Sequence, residues 1–312
     1  MTIQTLPTPV RGRPVYLEHF SLTHPPFRLT PAIDCFFKGA ERAALLQAMT
    51  YALVHGDGIT MLTGEVGTGK TTLSRVLMSQ ASSQLQFIYI ANPALSASEL
   101  QLAVAHEMRL QGARRGPELI GRIQRELIRL HASGRQVVML IDEAHEMPVA
   151  TLQQIRLLTN LETSAQKLLQ VLLVGQPELK SLLAKTALRP LRDRIANSFE
   201  VCALGEVDTA DYLDFRLRHA GATRTLFTPR AIDLISQESG GLARRVNIMA
   251  EKSLLAAFAE GLDVVTDDHV QMAVQELAEI LPPALTSQPG LAGWVVAGIN
   301  RLAVASRAIP AR

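Results

Sequence analysis

The octapeptide Gly64-Glu65-Val66-Gly67-Thr68-Gly69-Lys70-Thr71 constrains this chain more than any other stretch. It satisfies the G-x-x-x-x-G-K-[ST] pattern at every position and carries an extra glycine at 67. Phosphate oxygens need close backbone approach, and glycines let successive amides point inward without a Cβ in the way. Lys70 then reaches the terminal phosphates, and the Thr71 hydroxyl can ligand Mg²⁺. The flanks agree with this reading. Ile59 to Leu62 is a short apolar run suited to a buried strand, and Leu73, Val76 and Leu77 share one face of a helix behind the loop. Such a helix points its first amides and its dipole at the phosphates, so Thr72 joins Gly64 to Thr71 in the expected ATP-binding set.

A second signal is the unbroken apolar run Val137 to Ile141 closed by Asp142 and Glu143. Two carboxylates are costly inside a core unless they emerge at a ligand-binding sheet edge. There Asp142 can hold Mg²⁺, and Glu143 can orient and deprotonate an attacking water. Asp142-Glu143-Ala144-His145 also spells a helicase signature, but no second ATPase-like domain follows, so His145 is read as a local structural residue. Gln176 follows the run Val171 to Val174 and Gly175; it is either a γ-phosphate sensor or a turn residue ahead of Pro177. Arg189, Arg192 and Arg194 cluster before the last strand. Arg194 is the first choice for a guanidinium offered to a neighbouring subunit, the alternative being a solvated helix face. Arg244, in Gly240-Gly241-Leu242-Ala243-Arg244-Arg245, can touch nucleotide from a second domain or be an ordinary surface arginine.

The apolar runs Ile59–Leu62, Phe87–Ala91, Val137–Ile141, Val171–Val174 and Phe199–Ala203 alternate with amphipathic helices. Leu119, Ile123, Leu127 and Leu130 mark one helical face, for instance. Short apolar strands separated by helices imply a parallel sheet covered on both faces. A helix over Ala40 to His55 precedes them, stopped by Gly56-Asp57-Gly58. After Ala203 the pattern is helical only: Asp208 or Thr209 caps a helix to His219, and Thr228-Pro229 opens a second that ends at Gly240. A third runs from Leu242 to about Glu260, and Thr266 caps a fourth that ends near Pro282. The expected units are a disordered arm (1–14), an αβα ATPase domain (15–206), a helical lid (207–281) and a basic, partly apolar tail (282–312).

Composition removes several function classes. Lys plus Arg is 31 against 29 acidic residues, a net charge of +2, and aromatics are 4%. Neither a broad phosphate-binding field nor a base-stacking platform fits those figures. The two cysteines, Cys35 and Cys202, form no CxxC pair, which fits a reducing compartment. The N-terminus lacks a signal-peptide core, and Leu291 to Ala305 is interrupted by Asn300 and Arg301 and is too short to span a bilayer. A cytoplasmic location is expected.

The order of these signals resembles the AAA+ ATPases, and within them the ExeA/GspA type, with MshM-like pilus-biogenesis ATPases the nearest in pattern. The carrying stretches are Tyr-Leu-Glu-His-Phe-Ser-Leu (16–22), Pro-Phe-Arg-Leu-Thr-Pro (26–31), Leu-Thr-Gly-Glu-Val-Gly-Thr-Gly-Lys-Thr (62–71), Arg-Leu-Leu-Thr-Asn-Leu-Glu-Thr (156–163), Leu-Leu-Gln-Val-Leu-Leu-Val-Gly-Gln-Pro-Glu-Leu (168–179) and Arg-Arg-Val-Asn-Ile-Met-Ala (244–250). The resemblance implies an α/β P-loop core with a five-stranded parallel sheet in the order 5-1-4-3-2, followed by a small all-α lid. It also implies Mg-dependent ATP hydrolysis at subunit interfaces of a ring or filament, in service of a type II secretion or MSHA-like type IV pilus apparatus. Implied partners are other copies of the chain, inner-membrane components of such a machine and, through the tail, a membrane surface. Two alternatives stay open: a DNA-binding transposition regulator of the TniB/TnsC kind, and a scaffold that binds ATP without hydrolysing it.

Overall fold

The computed structural model describes residues 14–278, save 31–32, 57, 82–84, 113, 115 and 162–166. The expected arm, the end of the last lid helix and the C-terminal tail therefore lie wholly or almost wholly outside the described residues. Five parallel strands form one sheet in the order β2-β3-β4-β1-β5: β1 (Ile59–Thr63), β2 (Leu85–Ile90), β3 (Gln136–Ile141), β4 (Leu169–Gly175) and β5 (Ile195–Glu200). Read from the other edge, this is the implied order 5-1-4-3-2.

Strand alternation sorts the apolar runs onto two faces. Val137, Met139 and Ile141 of β3 point to one side, where Leu100 and Val104 of α4 (Ala97–Glu107), Ile123 and Leu127 of α5 (Pro117–Ala132) and Leu152 and Ile155 of α6 (Val149–Leu158) cover them. Val138 and Leu140 point to the other, onto Met49 and Leu53 of α2 (Arg42–His55) and Leu73 and Leu77 of α3 (Lys70–Gln80). Every residue of β1 and β4 is buried.

The fifth strand corrects the sequence reading, which put it at Phe199 to Ala203. It begins four residues earlier, at Ile195, and its exposure alternates as an edge strand's does. Its polar outer residues hide it from a search for apolar runs. The run that misled leaves the sheet after one further bond, from Val201 N to the Thr63 carbonyl (2.8 Å). Val201 then packs with the sheet, while Leu204 packs with the helices that follow.

Those helices are α9 (Glu206–His219), α10 (Pro229–Ser239), α11 (Ala243–Ala259) and α12 (Asp267–Ala278). Thr228 caps α10 by accepting from Ala231 N (3.2 Å), and Gly240 closes it in the left-handed conformation. Helix α9 starts at Glu206, ahead of the expected Asp208 or Thr209, and Thr209 bonds back to the Gly205 carbonyl (2.8 Å) inside the first turn. Gly241 has φ +69, and a Cβ there would lie 1.9 Å from the Leu204 carbonyl oxygen, so only glycine fits.

The N-terminal segment belongs with these helices rather than with the sheet, contrary to the expected 15–206 unit. Tyr16 and Leu17 of α1 (Tyr16–His19), with Phe20, Leu22 and Phe27, share one core with Leu213, Ile235, Val246 and Leu254. The Tyr16 hydroxyl donates to Glu251 Oε1 at 2.5 Å. Burial raises the Glu251 carboxyl above the ordinary carboxylate range, partly opposed by the Tyr16 bond, and burial together with Glu251 holds the Tyr16 phenol well above its own. A carboxyl raised in the fold contributes stability at low pH that is lost as pH rises through its raised pKa. Glu251→Gln, which keeps the acceptor for Tyr16, is therefore expected to match wild type in thermal denaturation near pH 4. At pH 8 it should melt at a higher temperature than wild type.

Candidate functional site

Between β1 and α3 the glycine loop turns through two left-handed positions, Gly67 (φ +84) and Gly69 (φ +100). Lys70 is 6% exposed, and its Nζ donates to the Gly64 (2.8 Å) and Glu65 (3.0 Å) carbonyls. Burial lowers its pKa, while Glu143, Asp142 and Glu65 pull the other way. An ammonium held in that balance is a ready partner for an incoming anion.

Asp142 follows the last residue of β3 at the carboxyl edge of the sheet, 5% exposed. Its Oδ2 accepts from Thr71 Oγ1 (3.1 Å) and from the Tyr89 hydroxyl (3.3 Å), and its Oδ1 accepts from Glu143 N (3.0 Å). Burial and then Asp142 raise the Tyr89 phenol. A hydroxyl and a carboxylate oxygen brought together here form a hard donor pair that fits Mg²⁺. Glu143 takes a left-handed backbone (φ +50), which turns the chain sharply off the sheet. Its Oε2 accepts no hydrogen bond among the described residues and lies 3.4 Å from His145 Nδ1.

Gln176, the expected sensor, sits at the carboxyl end of β4, where its N–H donates to His145 Nδ1 at 3.4 Å. It does not line the cleft above the loop. Its closeness to Glu143 runs through His145. Arg194 is engaged within its own chain: Nη1 donates to the Arg156 carbonyl (3.3 Å), to Thr159 Oγ1 (3.0 Å) and to Asn160 Oδ1. A cation is favoured there because these groups form the carbonyl end of α6. Arg189 and Arg192, in α8 (Arg189–Arg192), keep exposed side chains beside Asp193.

Arg244 stands where the sequence suggested, at the start of α11. Its backbone N–H donates to the Gly67 carbonyl (3.0 Å), and a Cβ on Gly67 would come within 2.9 Å of the Arg244 Cβ. The lid thus docks directly on the glycine loop. Between them opens a cleft of about 330 Å³ lined by Gly67 to Thr72, Glu143 and Arg244. A larger groove of about 520 Å³ on the outer side of α2 includes neither the loop nor the two carboxylates, and does not compete as a site.

The cleft also holds residues that were not singled out from the sequence. Arg28, Leu29 and Thr30, inside the 26–31 stretch of the resemblance, form part of its wall. Arg216 of α9 fixes that wall through the Pro26 (2.7 Å) and Arg28 (3.2 Å) carbonyls and the Tyr212 hydroxyl (2.8 Å). Arg42, the first residue of α2, lines it from behind the loop. One sequence signal was available for Arg42: a cation at a helix N-terminus opposes the helix dipole and calls for another reason to be there.

Comparison with known proteins agrees with the geometry. Residues 53–183 match the AAA domain family model. The chain is 37% identical over 268 residues to General secretion pathway protein A of Aeromonas hydrophila, covering 85% of this chain and 49% of that protein. Among solved structures, the Aeropyrum pernix ORC2 protein in its ADPNP-ADP complexes is 20% identical with a TM-score of 0.61, over 80% of this chain and 71% of its own. The Drosophila ORC bound to DNA is 16% identical with a TM-score of 0.63, over 89% and 70%. Identities this low carry the fold alone. The chain has a P-loop AAA+ fold, matches the AAA domain family model over residues 53–183, and is similar to General secretion pathway protein A, of whose length it spans about half.

Proposed function

We propose that this chain hydrolyses ATP to ADP and phosphate with Mg²⁺, as an oligomerising ATPase that assists assembly of a type II secretion or MSHA-like type IV pilus apparatus. The observation that carries the chemistry is the convergence of Lys70, Thr71, Asp142 and Glu143 at one sheet edge, with Thr71 bonded to Asp142. The 37% identity to General secretion pathway protein A supports the secretion setting. Other copies of the chain and inner-membrane components are the proposed partners. A cytoplasmic place beside the inner membrane fits one fact: among the described residues no helix is long and apolar enough to cross a membrane.

In this reading the loop amides from Gly67 to Thr72 and the Lys70 ammonium bind the phosphates, and Arg244 closes on them from the lid. Thr71 and Asp142 would hold Mg²⁺, whose chemistry when bound is to offset phosphate charge. Glu143, whose Oε2 accepts no hydrogen bond among the described residues, takes a proton from the attacking water as the water oxygen bonds the γ-phosphorus and the bond to the ADP oxygen breaks. The Arg194 bonds to the end of α6 move the trans role to its neighbours. Arg189 and Arg192 are the exposed guanidiniums, and Arg194 braces the turn that presents them.

Steady-state ATPase assays at increasing protein concentration test this. Turnover per subunit should rise with concentration and fall about 10²–10⁴-fold in Glu143→Gln, which still binds ATP. An Arg189→Ala/Arg192→Ala variant should be inactive alone and regain turnover when mixed with Glu143→Gln. Wild type that binds ATP but never hydrolyses it, at any concentration or with membranes added, would remove the ATPase reading. Arg194→Ala is expected to lower stability by about 2 kcal/mol in urea denaturation, the worth of charged hydrogen bonds to the end of α6.

A further inference from the structure

A buried guanidinium needs an anion or a full set of acceptors, because burial removes the water that would otherwise solvate it. Arg42 has neither. It is 8% exposed, and the one hydrogen bond of its guanidinium among the described residues runs from Nη2 to the Thr68 carbonyl at 3.3 Å. Its Nη1 is shielded from solvent and donates to nothing among the described residues. Asp208 on α9 acts on it only through space, without an ion pair, and burial pulls its pKa below the ordinary arginine value. The start of α2 adds a dipole of the wrong sign.

Its position gives the deficit a meaning. Arg42 lines the cleft shared with Gly67 to Thr72, and Thr68, whose carbonyl it holds, lies within the glycine loop. Arg216, another cation of this cleft, has its guanidinium committed to the Pro26 and Arg28 carbonyls and the Tyr212 hydroxyl. Arg42 keeps a donor in reserve. We propose that Arg42 is a ligand of the bound nucleotide, its Nη1 donating to an oxygen of the phosphate chain while Nη2 stays on the Thr68 carbonyl. This rests on the nucleotide reading of the cleft. A phosphate oxygen is favoured over an acceptor of the base because the unmatched quantity is a full positive charge. The fork geometry of a guanidinium lets one side chain hold loop and ligand together.

The test compares wild type, Arg42→Met, Arg42→Lys and, as a control for the loop, Lys70→Ala. Two quantities are read: the melting temperature without nucleotide, and the affinities for ATP and ADP by displacement of a fluorescent ADP. Arg42→Met should melt at or above wild type without nucleotide, since it removes an unpaired buried charge. Its affinities for ATP and ADP should fall about 10- to 100-fold, the worth of one charge-assisted hydrogen bond. Arg42→Lys should lie between, with charge kept and the fork lost. If Arg42→Met binds both nucleotides as wild type does while Lys70→Ala does not, the proposal fails and the nucleotide reading stands. A drop in melting temperature without nucleotide, or failure of Arg42→Met to fold, would make Arg42 a structural brace and overturn the proposal. If wild type binds no nucleotide, the cleft reading fails and this proposal with it.

Discussion

Burial of β1, β3 and β4 on both faces is the constraint from which the rest of the molecule follows. Strands covered on both sides tolerate no charge along their length, so every ionic group they carry must stand at an end. Asp142 follows the last residue of β3, the glycine loop follows β1, and Gln176 follows β4. Parallel order brings those ends to one edge, and only β4 separates β1 from β3, so the helix that follows the loop brings Thr71 within reach of Asp142. The bond from Thr71 to Asp142 is the local expression of that arrangement.

What the sequence made legible follows the same physics. Glycine spacing, apolar runs and the two acids at the end of β3 are local patterns, and each maps to one element. The features that were hidden depend on partners far along the chain. Strand β5 is an edge strand with polar outer residues, so no apolar run marks it. Arg194 was legible as a cation near the site, but not that the carbonyl end of α6 would claim it. Nothing local in 16–27 says that its aromatic residues pack on helices two hundred residues later; only the packed structure does. Arg216 sits in a helix beside other cations, where a charge ordinarily faces water, and Arg42 is marked only by its place at the start of α2.

The contact between lid and loop has an energetic side. Arg244 donates its backbone N–H to Gly67, and the Leu204 N–H donates to the Gly241 carbonyl, so two main-chain bonds fasten the start of α11. Main-chain bonds have strict geometry, and a lid tilted by a fraction of a turn would lose them. Whatever ligand favours one lid angle must then be favoured by it in return, with equal free energy, since linkage is reciprocal. The side chain of Arg244 adds to this coupling, but the backbone would supply part of it even without that side chain.

Tyr16 and Glu251 are 235 residues apart in sequence yet share a hydrogen bond, and the core around them draws on both ends of the described chain. The helical body is thus discontinuous, with the entire sheet inserted within it. A ribosome would release α1 early and have to wait for α11 before that core could close. Closing so long a loop has an entropic cost that grows only slowly with length, but its rate suffers from the separation. The sheet can assemble from contacts nearer in sequence, which makes the helical body the later part to form. During synthesis Tyr16, Phe20 and Phe27 would stay solvent-facing longest, a window in which a chaperone would find them.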